Sequence, residues 1–384
     1  MSTVTVRWLD RLADVDATVW DGLHDGTHPF ISHAFLHGLE HEGCLHRAHG
    51  WQPHHPTLWR DGELIAAAPG YIKTNSHGEF VFDHAWAHAY EAHGHRYFPK
   101  LLIAVPYSPV PGPRLLARDA ASRAALVWAI EEEMRRGKFS SAHVNFHAAA
   151  EDGVFEDARW LSRLDVQYHW QNDSEHGHWR DYDDFLAAMD HKHRKNLKQE
   201  RAKVQRAGVT FRIVHGADAS EDDLDAMHGF YLRTFADYGN FPALTRSFFG
   251  HVARAMPENL VLFLAQREGR SIAGACCLRG GETLYGRYWG ADESLPGLHF
   301  ETCYHQGIDY CLHHGLTRFS PGAQGEHKIA RGFLPTLTRS RHLIADAAFS
   351  DALESWCAAE REATLRYCDT ALQHGPFRRA QANT

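Results

Sequence analysis

The stretch 101-LLIAVPYSPVPGPRLLARDAASRAALVWAIEEEMRRGKFSSAHVNF-146 decides the fold. "LLIAVPYSPV" reads as a strand and "PGPRLL" as a Pro/Gly loop. "SRAALVWAIEEEMRRG" sets Leu126, Val127, Ile130 and Met134 on one helical face, with Ser122 placed to cap its start and Gly137 just past its end. "FSSAHVNF" is the next strand. Strand, loop, helix, strand is the building unit of a sheet covered by helices. The same order returns about 180 residues later. "TLYGRYWGAD" is a strand and "ESLPG" a loop. "LHFETCYHQGIDYCLHHG" is a helix with Phe300, Tyr304, Ile308, Cys311 and Leu312 on one side, Gly315 follows it, and "TRFS" opens a strand. Two similar domains are therefore expected in tandem, one over residues 1–175 and one over residues 176–384.

The other segments agree with an α/β class with mixed sheets. Residues 30–47 read as a helix capped by Ser32. Asp61-Gly62, between two apolar runs, signals a hairpin. "DYDDFLAAM" starts a helix with acids in its first turn, where the helix dipole favours them. "VTFRIV" is a strand, 221–238 and 245–256 are helical, and "LVLFLAQREGRSIAGACCLRGGETLYGRYWGA" reads as three antiparallel strands.

Composition narrows the function. The chain has 384 residues and a formal charge of -8, so a general coat on nucleic acid is excluded and any polyanion site must be local. Seven cysteines without a CxxC pair read as reduced thiols of a cytoplasmic protein. The N-terminus lacks the apolar core of a signal peptide, and no run reaches the ~18 apolar residues of a membrane span. The 31 histidines are scattered along the chain. Against this acidic background "HKHRKNLKQERAKVQRAG" (191–208) stands out. Seven of its first sixteen residues are Lys or Arg, and Glu200 is its one acid. As a helix it shows a thin apolar stripe, Leu197 and Val204, and a basic remainder including Lys192, Arg194, Lys195, Lys198 and Arg201.

The segments "GWQPHH" (50–55), "FVFDHAWAHAY" (80–90), "YFPKLLIAVPYSPVPGPRLL" (97–116), "QYHW" (167–170), "LYGRYWGADE" (284–293), "LHFETCYHQGI" (298–308) and "PGAQGEHKIARGF" (321–333) resemble the bacterial FemAB-like N-acyltransferases, a branch of the GNAT superfamily. The resemblance runs from about residue 30 to about residue 345. It implies two GNAT-like acyltransferase domains in tandem and transfer of an acyl or aminoacyl group to an amine. Better-studied Fem relatives move amino acids from charged tRNA to a peptidoglycan precursor. The resemblance also implies a basic helix at the start of the second domain and a lysine at about the place of Lys328.

Acyl transfer to an amine needs a polarised carbonyl, a neutral amine and a proton acceptor. Glu326 and His327, after two glycines, and Glu301 are the candidate catalytic residues, and Lys328 is a candidate holder of a phosphate or carboxylate. Arg287 and Tyr288 lie on the strand that is splayed in GNAT folds. Alternation places Arg287 with Trp289, and Glu301 is the carboxylate expected to face Arg287. Asp83, Trp86 and Tyr90 are expected to line the first domain's groove, and Arg114 to offer its donors to a phosphate. The acetyl-CoA loop RxxGxG/A is absent. No tightly bound cofactor is expected. The donor, acyl-CoA or aminoacyl-tRNA, is a co-substrate, and the basic stretch is read as a dock for its phosphates, with tRNA one such partner. Two other classes compete: an inactive GNAT-fold binding protein, and a histidine-based metal enzyme built on His84/His88, His93/His95, His176/His178 and His191/His193, for which no HExxH completes a site.

Overall fold

The computed structural model describes residues 3–155, 159–172, 178–323 and 325–378. Its contacts divide the chain into two compact units, Met1–Asp165 with Leu337–Arg366, and Val166–Thr336 with Tyr367–Thr384. The sequence reading placed one boundary, after residue 175; the contacts divide the chain after Asp165 and return Leu337–Arg366 to the first unit.

The first unit opens with β1 (Val4–Leu9), α1 (Ala17–Asp21) and α2 (His33–His41), the last capped as expected by Ser32, whose Oγ accepts from Phe35 N at 3.3 Å. Then come β2 (Trp51–Pro53), β3 (His55–Arg60), β4 (Glu63–Ala67) and β5 (Gly70–Lys73). Asp61 and Gly62 turn the β3–β4 hairpin with φ of 52° and 86°, the two left-handed residues that the twist of a hairpin favours. After α3 (His84–Ala92) the opening stretch becomes β6 (Lys100–Ile103), β7 (Leu116–Ala117), α4 (Ala120–Arg136) and β8 (Ser141–Asn145). β6 and β8 pair in parallel, so α4 is a crossover helix. Two details differ from the sequence reading. The strand stops at Ile103, ahead of Pro106 and of Tyr107 at φ 56°. The cap is Asp119, which accepts from Ser122 N at 2.6 Å, because a carboxylate three residues earlier suits the helix dipole better than the serine. Leu126, Ile130 and Met134 pack on Leu101, Ile103 and Val144 of the strands. Each such buried side chain contributes about 1.5–3 kcal/mol.

In the second unit the strands are β9 (Leu161–Gln171), β10 (Thr210–His215), β11 (Leu260–Arg267), β12 (Arg270–Gly280), β13 (Thr283–Ala291) and β14 (Arg318–Ser320), in sheet order β10-β11-β12-β13-β14-β9. β13 and β14 pair in parallel across a helix, so the repeat anticipated at 101–146 is present. The helices are α5 (Tyr182–Ala188), α6 (His191–Arg206), α7 (Glu221–Asp237), α8 (Arg246–Ala255) and α9 (298–313). Asp190 separates α5 from α6 and caps the latter through His193 N at 2.9 Å. Leu197 and Val204 are both buried, as the stripe requires. α7 lies on β12 and β13. Gly290 makes that approach possible, since a Cβ there would stand 1.9 Å from Phe230 O. Two late elements follow, β15 (Leu334–Ile344), which pairs with β8 through Ser340–Ile344, and α10 (Ala347–Gln373). Among the described residues no helix is long and apolar enough to cross a membrane.

Candidate active site

The site is built where β13 leaves β14. Their parallel register runs from Thr283–Arg318 to Tyr285–Ser320. On its other edge β13 carries a bulge: Cys277 pairs with Gly286 and Cys276 with Tyr288, leaving Arg287 as the extra residue. The alternation expected for Arg287 and Trp289 therefore does not carry across this point. α9 is interrupted by a π-turn, Glu301–His305, and such single turns are often found at functional sites. The added residue rotates the helix face and brings Glu301 and His305 inward beside Tyr304.

The segment Glu326–Arg331 coils against this turn. His327 is exposed, and its Nε2 lies 3.0 Å from the buried Tyr304 hydroxyl. Its ring stands 5.6 Å from Phe300 and 6.4 Å from His299. Burial, with Arg331 and Lys328 nearby, holds the His327 pKa below the usual value, so the imidazole is neutral at pH 7. Burial brings His299 down to about 4. Lys328 is buried, and its Nζ donates to Gly322 O at 2.7 Å. Desolvation lowers its ammonium to about 8. Beneath these groups Arg331 donates to His327 O at 2.7 Å, sits 3.4 Å over the Phe300 ring, and grips Glu200 with both forks at 2.6 and 3.1 Å. Glu200 also meets His305 Nε2 at 3.2 Å, and His305 Nδ1 meets the Tyr182 hydroxyl at 2.6 Å. Burial tends to raise the Glu200 carboxyl, but His305 and Arg331 outweigh it and hold the pKa low. A neutral base thus stands at the surface with a cationic donor behind it, both fixed from below by a charged network.

The remaining candidates are distributed differently. Glu326 is exposed and accepts from the Tyr367 hydroxyl at 2.7 Å. Glu301 faces Arg201 (3.2 Å) and Gln306 (2.7 Å) in place of the expected Arg287, whose guanidinium lies 5.5 Å from the Tyr288 ring. Arg201 also donates to Asp309 at 2.7 Å and covers the Tyr182 ring at 4.3 Å, so it belongs to the interior face of α6. Lys192, Lys195 and Lys198 are exposed on the outer face, and Arg194 is half-buried. In the first unit Arg114 is fully buried. Its guanidinium donates to the carbonyls of Val110, Gly112, Pro113 and Asn145, and its backbone N to Glu151. Those donors hold a loop, which is a structural task. Asp83 is buried with Lys100, Tyr97 and Ser76; Trp86 packs on His342 and Trp356; Tyr90 packs on Tyr97 and Phe349. All three are interior residues. Among the described residues no group of three or more His, Cys, Asp or Glu is placed to hold a metal; His176 lies outside them.

Tyr304, Arg331, His305, His299 and Glu200 were not among the sequence candidates. Two signals pointed to them. Arg331 lies in the same "GAQGEHKIARGF" run as Lys328, and Glu200 is the lone acid in a basic helix.

Comparison with known proteins gives the family. Among solved structures, the crystal structure of FemX is similar with a TM-score of 0.52 and 11% identity, over 91% of this chain and 100% of that one. A conserved protein of unknown function from Bacteroides thetaiotaomicron VPI-5482 gives 0.51 and 12%, over 88% and 99%. A tandem GNAT protein from the clavulanic acid biosynthesis pathway gives 0.44 and 9%, over 90% and 99%. At such identities the likeness is one of fold alone, and the chain is α/β with mixed sheets. No curated protein sequence matches. The FemAB-like family model, described as peptidoglycan biosynthesis/recognition, matches residues 11–379, and the chain belongs to that family.

Proposed function

We propose that the second unit is an N-acyltransferase that moves an acyl or aminoacyl group from an activated donor, an aminoacyl-tRNA or an acyl-CoA, to an amine. The observation that carries this is the buried Lys328 ammonium behind the neutral His327 at the mouth of the β13–β14 splay. The amine nitrogen attacks the donor carbonyl directly. Lys328, mostly protonated at pH 7, donates to the oxygen on which negative charge develops. His327 takes the proton released by the attacking nitrogen, with Tyr304 holding its ring. The new C–N bond forms as the C–O or C–S bond to the donor breaks, and the proton passes from His327 to the leaving group. No covalent enzyme intermediate is involved.

Lys192, Lys195 and Lys198 on the outer face of α6 support a phosphate-bearing donor, since the inner face of the same helix reaches Arg331 through Glu200. The description of the family supports an acceptor related to peptidoglycan. The test supplies an amine mixture with either a labelled aminoacyl-tRNA pool or acyl-CoA, and follows label into amide by mass spectrometry. Transfer by the wild type that drops by two orders of magnitude or more in Lys328→Met and His327→Ala supports the reading. Donor left intact, or both variants at the wild-type rate, overturns it.

A further inference from the structure

The second unit carries a cleft that the reaction above leaves unassigned. It measures about 520 Å³ and lies between the last turn of α7, the end of β13 and the first residues of α9. Its polar and aromatic lining includes Asp237, Tyr238, Trp289, Asp292, Glu293 and His299. A neighbouring groove of about 500 Å³ shares Arg233, Asp237 and Asp292 and continues along α7 past Gly229 and Ala226. His299 is one of the residues that line the cleft. That ring is 5.1 Å from Trp289 on one side and 6.4 Å from His327 on the other. His299 thus connects the lining of the cleft with the base.

The charges select the occupant. Three carboxylates and one guanidinium line the cleft. Arg233 is spent on Asp292 at 2.9 Å, and Glu293 is held by Arg267 at 2.8 Å and Arg270 at 3.5 Å. Asp237 is exposed and, among the described residues, enters no ion pair. Among the described residues no uncommitted cation lines the cleft, while Tyr238, 77% exposed, and Trp289 offer aromatic faces. A carboxylate beside aromatic rings attracts an ammonium group. A diphosphate placed there would meet Asp237, Asp292 and Glu293 with no counter-charge to spare.

We infer that this cleft binds an amine acceptor carrying a second ammonium group, a linear diamine or ω-aminoalkyl chain. Asp237 holds the ammonium that does not react. Trp289 and Leu298 flank the methylenes, and the other nitrogen is delivered past His299 to His327. The inference rests on the acyl-transfer reading of the same site and names its acceptor class. It also gives the two substrates opposite charges: a basic outer face on α6 for the donor, and an acidic aromatic cleft for the acceptor.

Calorimetric titration of the full chain with cadaverine, butylamine and inorganic diphosphate tests it without any donor. Cadaverine is expected to bind at least tenfold tighter than butylamine, and Asp237→Asn to raise the cadaverine Kd about tenfold while leaving butylamine unchanged. Trp289→Leu should weaken both amines, and diphosphate should not displace cadaverine. Asp237 is exposed, so its variant should melt at the wild-type temperature. Equal affinities for the two amines, no heat at millimolar cadaverine, an unchanged Kd in Asp237→Asn, or displacement by diphosphate each overturns the assignment. Because no turnover is read, failure here with amide formation intact removes the cleft and leaves the reaction standing.

Discussion

Lowering the pH should destabilise the first unit through one buried pair. His143 and His342 face each other across β8 and β15, Nδ1 to Nδ1 at 2.6 Å. Ser141 meets the outer nitrogen of one ring at 2.7 Å, and Ser340 that of the other at 2.8 Å. One neutral ring donates to the other, and neither has room for a second proton. Burial pushes His143 down to about 3 and His342 well below its usual value. Other groups face the pair too: Lys100 and Arg163 disfavour added charge on both rings, while Asp83 favours it on His143. The sign follows from proton counts. Below 6.5 the unfolded imidazoles bind protons that the folded pair refuses, so stability is full above 6.5 and is lost as pH falls toward about 3. pH 5 lies about 1.5 units below the unfolded pKa of each ring, a loss of roughly 2 kcal/mol per ring and roughly 4 kcal/mol for the pair. That is a large share of the 5–15 kcal/mol that folded proteins typically hold. Urea unfolding followed by circular dichroism at pH 7.5 and pH 5.0 reads the effect. The double variant His143→Gln/His342→Gln should lose about 4 kcal/mol less than the wild type over that interval. His28, also held down to about 3, loses equally in both proteins. Equal losses in the two proteins would refute the reasoning.

Other perturbations separate the roles of the second unit. The transfer rate should fall as pH rises through about 8, where Lys328 loses its proton, and Lys328→Arg should move that limb upward. Its acid limb should lie below 6.5, because His327 is depressed. Glu200→Gln leaves the Arg331 guanidinium underpaired and should cost roughly 1.5–3 kcal/mol in urea unfolding, with a drop in rate. The triple change Lys192→Glu, Lys195→Glu, Lys198→Glu should leave stability within about 0.5 kcal/mol while flattening the salt dependence of tRNA binding in a filter assay. Arg114→Met strips several buried carbonyls of their donor, at about 1–3 kcal/mol each, and should unfold the first unit at markedly lower urea.

The fold was legible because both crossover units announce themselves locally. An apolar run, a Gly/Pro loop and a helical stripe are short-range patterns, and each of 101–146 and 283–320 contains all three. The candidate site was legible only where its residues are adjacent in sequence, as His327 and Lys328 are. Glu200 and Arg331 are 131 residues apart, and nothing local pairs them. Arg114 misled for a related reason: an arginine in a Pro/Gly loop has the same sequence signature whether its donors meet a phosphate or the loop's own carbonyls. Arg287 and Trp289 failed through the bulge at Cys276/Cys277, which adds a residue to one strand without any mark in the sequence. The π-turn did the same to α9, since a period of 3.6 assigned from Phe300 onward leaves Glu301 and His305 off the inner face.

The basic stretch that stands out in an acidic chain has two different faces, and its single acid marks the inner one. On the outer face the lysines are solvated and free to meet a polyanion. On the inner face Arg201 is turned to Glu301 and Asp309, and Glu200 is turned to Arg331 and His305. Were Glu200 a lysine like its neighbours, Arg331 would face another cation, and the backbone carrying His327 and Lys328 would lose its anchor. The position of the outer-face lysines is thereby tied to the position of His327 and Lys328 through one carboxylate. The tie also reaches His327, whose imidazole is held down by burial first and then by the Arg331 and Lys328 charges. Glu200 grips Arg331 at 2.6 and 3.1 Å and so offsets part of that charge. Glu200→Gln should therefore lower the pH at which the acid limb of the rate appears. A glutamine variant with that limb unmoved would mean that Glu200 anchors the segment but does not tune the histidine.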